Sequence, residues 1–226
     1  MTALLCVLLC VTGTTPVASM GSGLELIGPS CGECQRQGRM PYVPQPGDLV
    51  LFHHHSYAVN ALYYLGFCGG TTHSGIVVAH PRGGVVMLEA PFLEPVTFVD
   101  LASRVAAYKG RVEIRRRKIP LTEQQSARLT AFACAQLGKP FHLPGMLLPT
   151  VTWPLDLFQD HCVSDKELNP PNWICSELVI AATIAAGLVT PCGVKPACVC
   201  ADDLRTDRIL DLSCGWWPPL TVIRVK

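Results

Sequence analysis

Cys175, His73 and Glu89 are the side chains whose types and positions can do chemistry together. A thiol becomes a nucleophile when an imidazole takes its proton or pairs with its thiolate, and a third polar group orients that imidazole. Cys175 opens the apolar run Cys175–Gly187, which reads as a buried helix stopped by its glycine. The positive end of a helix lowers a thiol's pKa, and its unpaired N–H groups can face an oxyanion. Cys134 falls inside another helical stretch and reads as inert packing. Glu177, two residues after Cys175, reads as an acid placed for helix-start electrostatics.

His73 begins the apolar run 73–79, and Glu89 lies near the end of the run 85–90, with His80-Pro-Arg-Gly-Gly84 between them. Two apolar runs around a Pro/Gly turn predict an antiparallel hairpin. With the turn centred on 80–82, residue 73 falls opposite or nearly opposite residue 89. Opposed side chains on one face lie about 4.5–5.5 Å apart at Cβ. A carboxylate there holds the imidazole in one tautomer while the other ring nitrogen addresses Cys175.

Other elements must carry this group. Pro46-Gly47-Asp48 is a turn feeding the strand around Leu49–Phe52, and residues 56–65 read as a short helix. Residues 95–99, 111–118 and 220–225 read as strands, and 100–108 as a helix. Thr122 reads as the N-cap of a helix that stops at Gly138-Lys139-Pro140. The class is α+β, an antiparallel sheet packed on a central helix bearing Cys175. The stretch 138–173 is rich in Pro and apolar residues without a convincing element. Such a long connection is usually functional or disordered. Phe141 and Trp153 within it are the candidate substrate-binding residues, as parts of a lid or groove wall.

Composition limits the alternatives. The chain has 226 residues, net charge +1, 49% hydrophobic and 15% charged residues. That excludes wholesale disorder and gives no basic face for nucleic acid. No apolar run reaches the roughly 18–20 residues of a spanning helix. Residues 1–20 resemble a secretory leader lacking a basic n-region, so export to the periplasm or cell envelope is expected. Residues 21–44 read as a Gly- and Cys-containing linker, and 45–226 as the catalytic domain.

Of twelve cysteines, most are open to pairing, burial or metal binding. Cys31-x-x-Cys34 could join Cys198-x-Cys200 around zinc, but the second pair has only one intervening residue. Disulfides or reduced thiols are preferred, and no metal or cofactor is assigned. His53-His54-His55 cannot converge on one ion along a strand, because successive side chains alternate faces; a polar strand end is expected. Arg115-Arg116-Arg117-Lys118 reads as a solvated sheet edge.

PGDLVLF, THSGIVV, VVMLEA, GKPF and WICSELV occur in this order. Together they resemble the permuted NlpC-type papain-like hydrolases, in particular the YiiX/YaeF-like amidases, over roughly residues 45–225. The resemblance implies a circularly permuted papain-like fold in which the His precedes the Cys. It also implies Cys175 as nucleophile, His73 as base and Glu89 as orienting residue. Where that pattern often has Tyr, this chain has Phe141, so no hydroxyl is available there. The resemblance implies a peptide, amide or acyl-lipid substrate. A lipid-directed acyltransferase or thioesterase on the same scaffold is one alternative. A non-catalytic, cysteine-rich binding protein is the other.

Overall fold

A computed structural model describes residues 23–28, 38–65, 69–144, 162–208 and 210–224. Its frame is an antiparallel sheet: β1 (Leu24–Ile27), β2 (Arg39–Pro41), β3 (Leu49–His53), β4 (His73–Ala79), β5 (Val85–Glu89), β6 (Thr97–Val99), β7 (Arg111–Arg115) and β8 (Leu220–Arg224). The strand order is β2-β1-β8-β7-β3-β4-β5-β6. The helices are α1 (Tyr57–Leu65), α2 (Leu101–Ala107), α3 (Glu123–Gln136), α4 (Cys175–Ala185) and α5 (Asp203–Thr206). This is the α+β class expected.

Every residue of β3 is buried, as a strand covered on both faces must be. Leu49, Leu51, Ile76, Val78 and Leu88 face α3 and α4, with Trp173 and Trp216 in the same core. Val50, Phe52, Val77, Met87 and Ile114 face the other way, toward Leu101 and Val105 of α2. The alternation follows from the two-residue side-chain period. Helix α4 is buried from Cys175 through Ile184, which explains why its sequence is apolar on nearly all sides. Thr122 caps α3 as expected: its hydroxyl accepts from the Gln125 N–H at 3.2 Å, and Gln125 Oε1 accepts from the Thr122 N–H at 3.0 Å.

Three expectations need correction. Residues 24–27 and 39–41 are not linker but strands, with Leu24 and Leu26 buried in the second core; a four-residue alternation is too short to stand out beside a Gly-rich stretch. The basic run is not a solvated edge, because β7 lies between β3 and β8. Arg115 is fully buried and donates to both carboxylate oxygens of Asp207, at 2.7 and 3.0 Å, and to Leu204 O. Arg117 and Lys118 stack over Trp216 and Trp217. Aromatic and carboxylate partners a hundred residues away thus bring this charge inward. Cys134 lies within α3 but is exposed, so it does not pack the core.

A disulfide joins Cys162 to Cys192, tying the approach to α4 to the chain that leaves it. Closing a loop of this length stabilises by about 3–4 kcal/mol in the chain-entropy account.

Candidate active site

The site forms where β4 and α4 both begin. Trp173 fixes the approach: its indole N–H donates to Gln136 Oε1 at 3.1 Å, and its backbone N–H to Pro140 O at 3.1 Å. The His142 N–H in turn donates to Trp173 O at 2.9 Å, which holds Phe141 beside the start of α4. Ile174 is the N-cap and has no side-chain acceptor. Instead, Glu177 Oε2 accepts from the Ile174 N–H at 3.3 Å, the helix-start role expected of it. Burial pushes the Glu177 carboxyl up to about 7.

Cys175 is buried, with His73 next to it. His73 Nε2 donates to Glu89 Oε2 at 2.6 Å, which leaves Nδ1 for the sulfur. The register differs slightly from the symmetric hairpin: Ala79 pairs with Val85, so the turn centres one residue later and Gly75 stands opposite Glu89. His73 is therefore the diagonal neighbour, still within reach of a long side chain. Gly75 keeps that face clear, since a Cβ there would lie 2.8 Å from Met87 Sδ.

Arg104, on α2, was not singled out by the sequence. Its Nε donates to Glu89 Oε1 at 2.9 Å and to Oε2 at 3.3 Å, and its guanidinium lies over Phe52, 5.1 Å from the ring centroid. The available signal was weak, a single cation in a short amphipathic helix.

The electrostatics are coherent. Burial would raise the Glu89 carboxyl, but His73 and Arg104 hold it below its ordinary value. Burial would lower His73, but its bonds to Cys175 and Glu89 raise it to about 9. Burial would raise the Cys175 thiol; His73 and the Ser74 N–H pull it below its ordinary value. A thiolate–imidazolium pair, held by a carboxylate, is the form these shifts favour near neutral pH.

The pair opens onto a cavity of about 490 Å³, within the usual range for small-molecule sites. Its wall is largely apolar, including Val59, Phe92, Phe141, Ile174, Val199 and Ala201. Phe92 and Phe141 meet edge-to-face at 5.4 Å. Phe141 thus lies where a substrate-binding residue was expected, while Trp153 lies outside the described residues. Cys198 and Cys200 line the same cavity, but Cys31 and Cys34 lie outside the described residues. Among the described residues, no three His, Cys, Asp or Glu side chains are grouped to hold a metal.

The three adjacent histidines do not alternate along a strand, because β3 ends at His53. His53 turns to Glu113, Nε2 to Oε2 at 2.9 Å, while the rings of His54 and His55 lie 4.5 Å apart.

No protein-family model matches the sequence, and no curated protein does. Among solved structures, the metalloprotein YiiX from Escherichia coli O157:H7, DUF1105, is similar. It is 25% identical, with 64% of this chain and 67% of that chain covered and a TM-score of 0.46. No described helix is long and apolar enough to cross a membrane.

Proposed function

We propose that the protein is a thiol hydrolase of amide or ester bonds, built on a circularly permuted papain-like fold. The observation that carries this reading is the continuous chain Cys175–His73–Glu89–Arg104 at the wall of an apolar cavity. Cys175 Sγ attacks the carbonyl carbon as a thiolate. Backbone N–H groups at the start of α4 stabilise the oxyanion as charge develops. His73 then gives its proton to the departing nitrogen or oxygen, and a thioester remains on Cys175. His73 next takes a proton from water, the hydroxide attacks the thioester carbon, and the acid leaves as Cys175 returns to thiolate.

Cys175→Ala tests this directly. It should abolish covalent labelling by acyl and peptide electrophiles and abolish turnover, with the thermal midpoint close to wild type. Turnover retained in that variant would sink the mechanism.

The apolar wall favours a second reading, acyl transfer. The same thioester would then pass its acyl group to an alcohol or amine, and product analysis with a competing nucleophile separates transfer from hydrolysis.

A further inference from the structure

A second cavity, of about 770 Å³, adjoins the first. Helix α1 divides them: Val59 and Tyr63 line the Cys175 cavity, while Tyr57 and Asn60 line the other, and His54 contributes to both. The opposite wall divides in the same way, with Ala201 on the first cavity and Asp202 on the second. The two cavities therefore flank a shared partition but differ in chemistry.

Four cations line the second cavity: Lys109, Arg111, Arg205 and Arg208. Its two acids are turned to internal work. Asp202 Oδ1 accepts from the Thr71 hydroxyl at 2.8 Å and from the Thr71 N–H at 3.2 Å. Asp203 Oδ2 accepts from the Cys200 N–H at 2.8 Å, and burial raises its carboxyl above the ordinary value. Arg111 and Arg205 are shared with Glu113, whereas Lys109 and Arg208 are exposed on the rim.

We propose that the substrate is bipartite: an apolar acyl group fills the Cys175 cavity, and an anionic leaving group occupies the cationic cavity. The scissile carbonyl then lies at Cys175, and the leaving group passes His54, which lines both cavities. Hydrolysis breaks the carbonyl–nitrogen or carbonyl–oxygen bond, adds hydroxide from water to the acyl carbon, and sends the proton to the anionic amine or alcohol. This inference rests on the thiol-hydrolase reading and specifies its substrate class. A carboxylate or a phosphate meets the same chemical requirement.

Two matched pairs test it: N-dodecanoylglycine against its methyl ester, scored by amide cleavage alone, and dodecanoyl glycerol phosphate against monododecanoyl glycerol. Steady-state kcat/KM is measured for wild type and for the Lys109→Ala/Arg208→Ala double variant, with thermal midpoints confirming the fold. The anionic member of at least one pair should be preferred by about tenfold, the scale of one charge-assisted hydrogen bond. The double variant should erase that preference. The favoured pair distinguishes carboxylate from phosphate. Equal rates within both pairs, or a preference that survives the double substitution, overturns the proposal. If none of the four is cleaved while an acyl electrophile still labels Cys175, the substrate class is wrong and the thiol reading stands. If Cys175 fails to label, the thiol reading itself fails.

Discussion

Two His–Glu–Arg clusters lie on opposite faces of the sheet, and only one has a cysteine beside its imidazole. In the first, His73 Nε2 meets Glu89 at 2.6 Å, and Arg104 Nε meets the same carboxylate at 2.9 Å. In the second, His53 Nε2 meets Glu113 at 2.9 Å, and Arg205 Nε meets that carboxylate at 2.7 Å. The difference is what the other ring nitrogen faces. For His53 it is a backbone carbonyl, Gly70 O at 3.1 Å, with Arg111 Nη2 at 3.4 Å; for His73 it is Cys175. A carboxylate-held imidazole is therefore not a catalytic device by itself. In the proposed mechanism it becomes one where its second nitrogen meets a thiol at a cavity, and it is a brace where that nitrogen meets the main chain.

Parallel substitutions of the two histidines should separate these roles most widely. His73→Asn should reduce kcat/KM by about three orders of magnitude or more, since both proton transfer and the thiolate's partner are lost. Its thermal midpoint should fall as well, since Glu89 loses a buried partner. His53→Asn should lower the midpoint while the rate at a permissive temperature stays within a few fold. If His53→Asn abolishes turnover while the protein remains folded, the distinction between device and brace collapses.

The two carboxylates sharpen the contrast. Glu113→Gln removes the acceptor of a largely buried network, leaving Arg205 without its counter-charge and His53 without its carboxylate partner, which should cost about 3 kcal/mol. The pH dependence has a definite sign. The Glu113 carboxyl lies near 2 in the fold against 4.5 ordinarily, because bonds and charge from His53 and Arg205 outweigh burial. Its stabilisation is full above pH 4.5 and is lost as pH falls toward 2. Asp48 acts oppositely: burial raises it from 3.8 to about 6, so its effect is to reduce stability as pH rises across that interval. Denaturant titrations of wild type and Glu113→Gln between pH 2 and 5 should converge at the acid end. Parallel curves would show that Glu113 titrates alike in both states.

The first cluster was far more legible in the sequence than the second. Its His and Glu sit on one hairpin, so turn position and the two-residue period brought them near one another before any long-range contact was known. Cys175 stood out as the only cysteine opening a long apolar helix. The second cluster joins β3, β7 and α5, with Glu113 sixty residues from His53 and ninety-two from Arg205, and no local period connects them. Arg115 failed for the same reason, because the partner that permits its burial, Asp207, is equally remote. Local patterns name a residue's element and face, whereas the cost of burying a charge is settled by partners far along the chain.

Arg104 provides the finest test, because it bonds Glu89 and also lines the Cys175 cavity. It also lies over Phe52, so a loss of rate on removing it would not by itself distinguish an electrostatic role from packing. The pH profile does. Arg104→Gln removes a positive charge beside the Glu89 carboxylate, which favours the protonated forms of His73 and Cys175 alike. Both limbs of the kcat/KM profile should therefore move to higher pH, with a several-fold loss at the optimum. Arg104→Lys keeps the charge but not the forked geometry and should restore the limbs more fully than the rate. Limbs that stay in place while the rate falls would reduce Arg104 to a packing residue, and the two clusters would then differ only in what their histidines face.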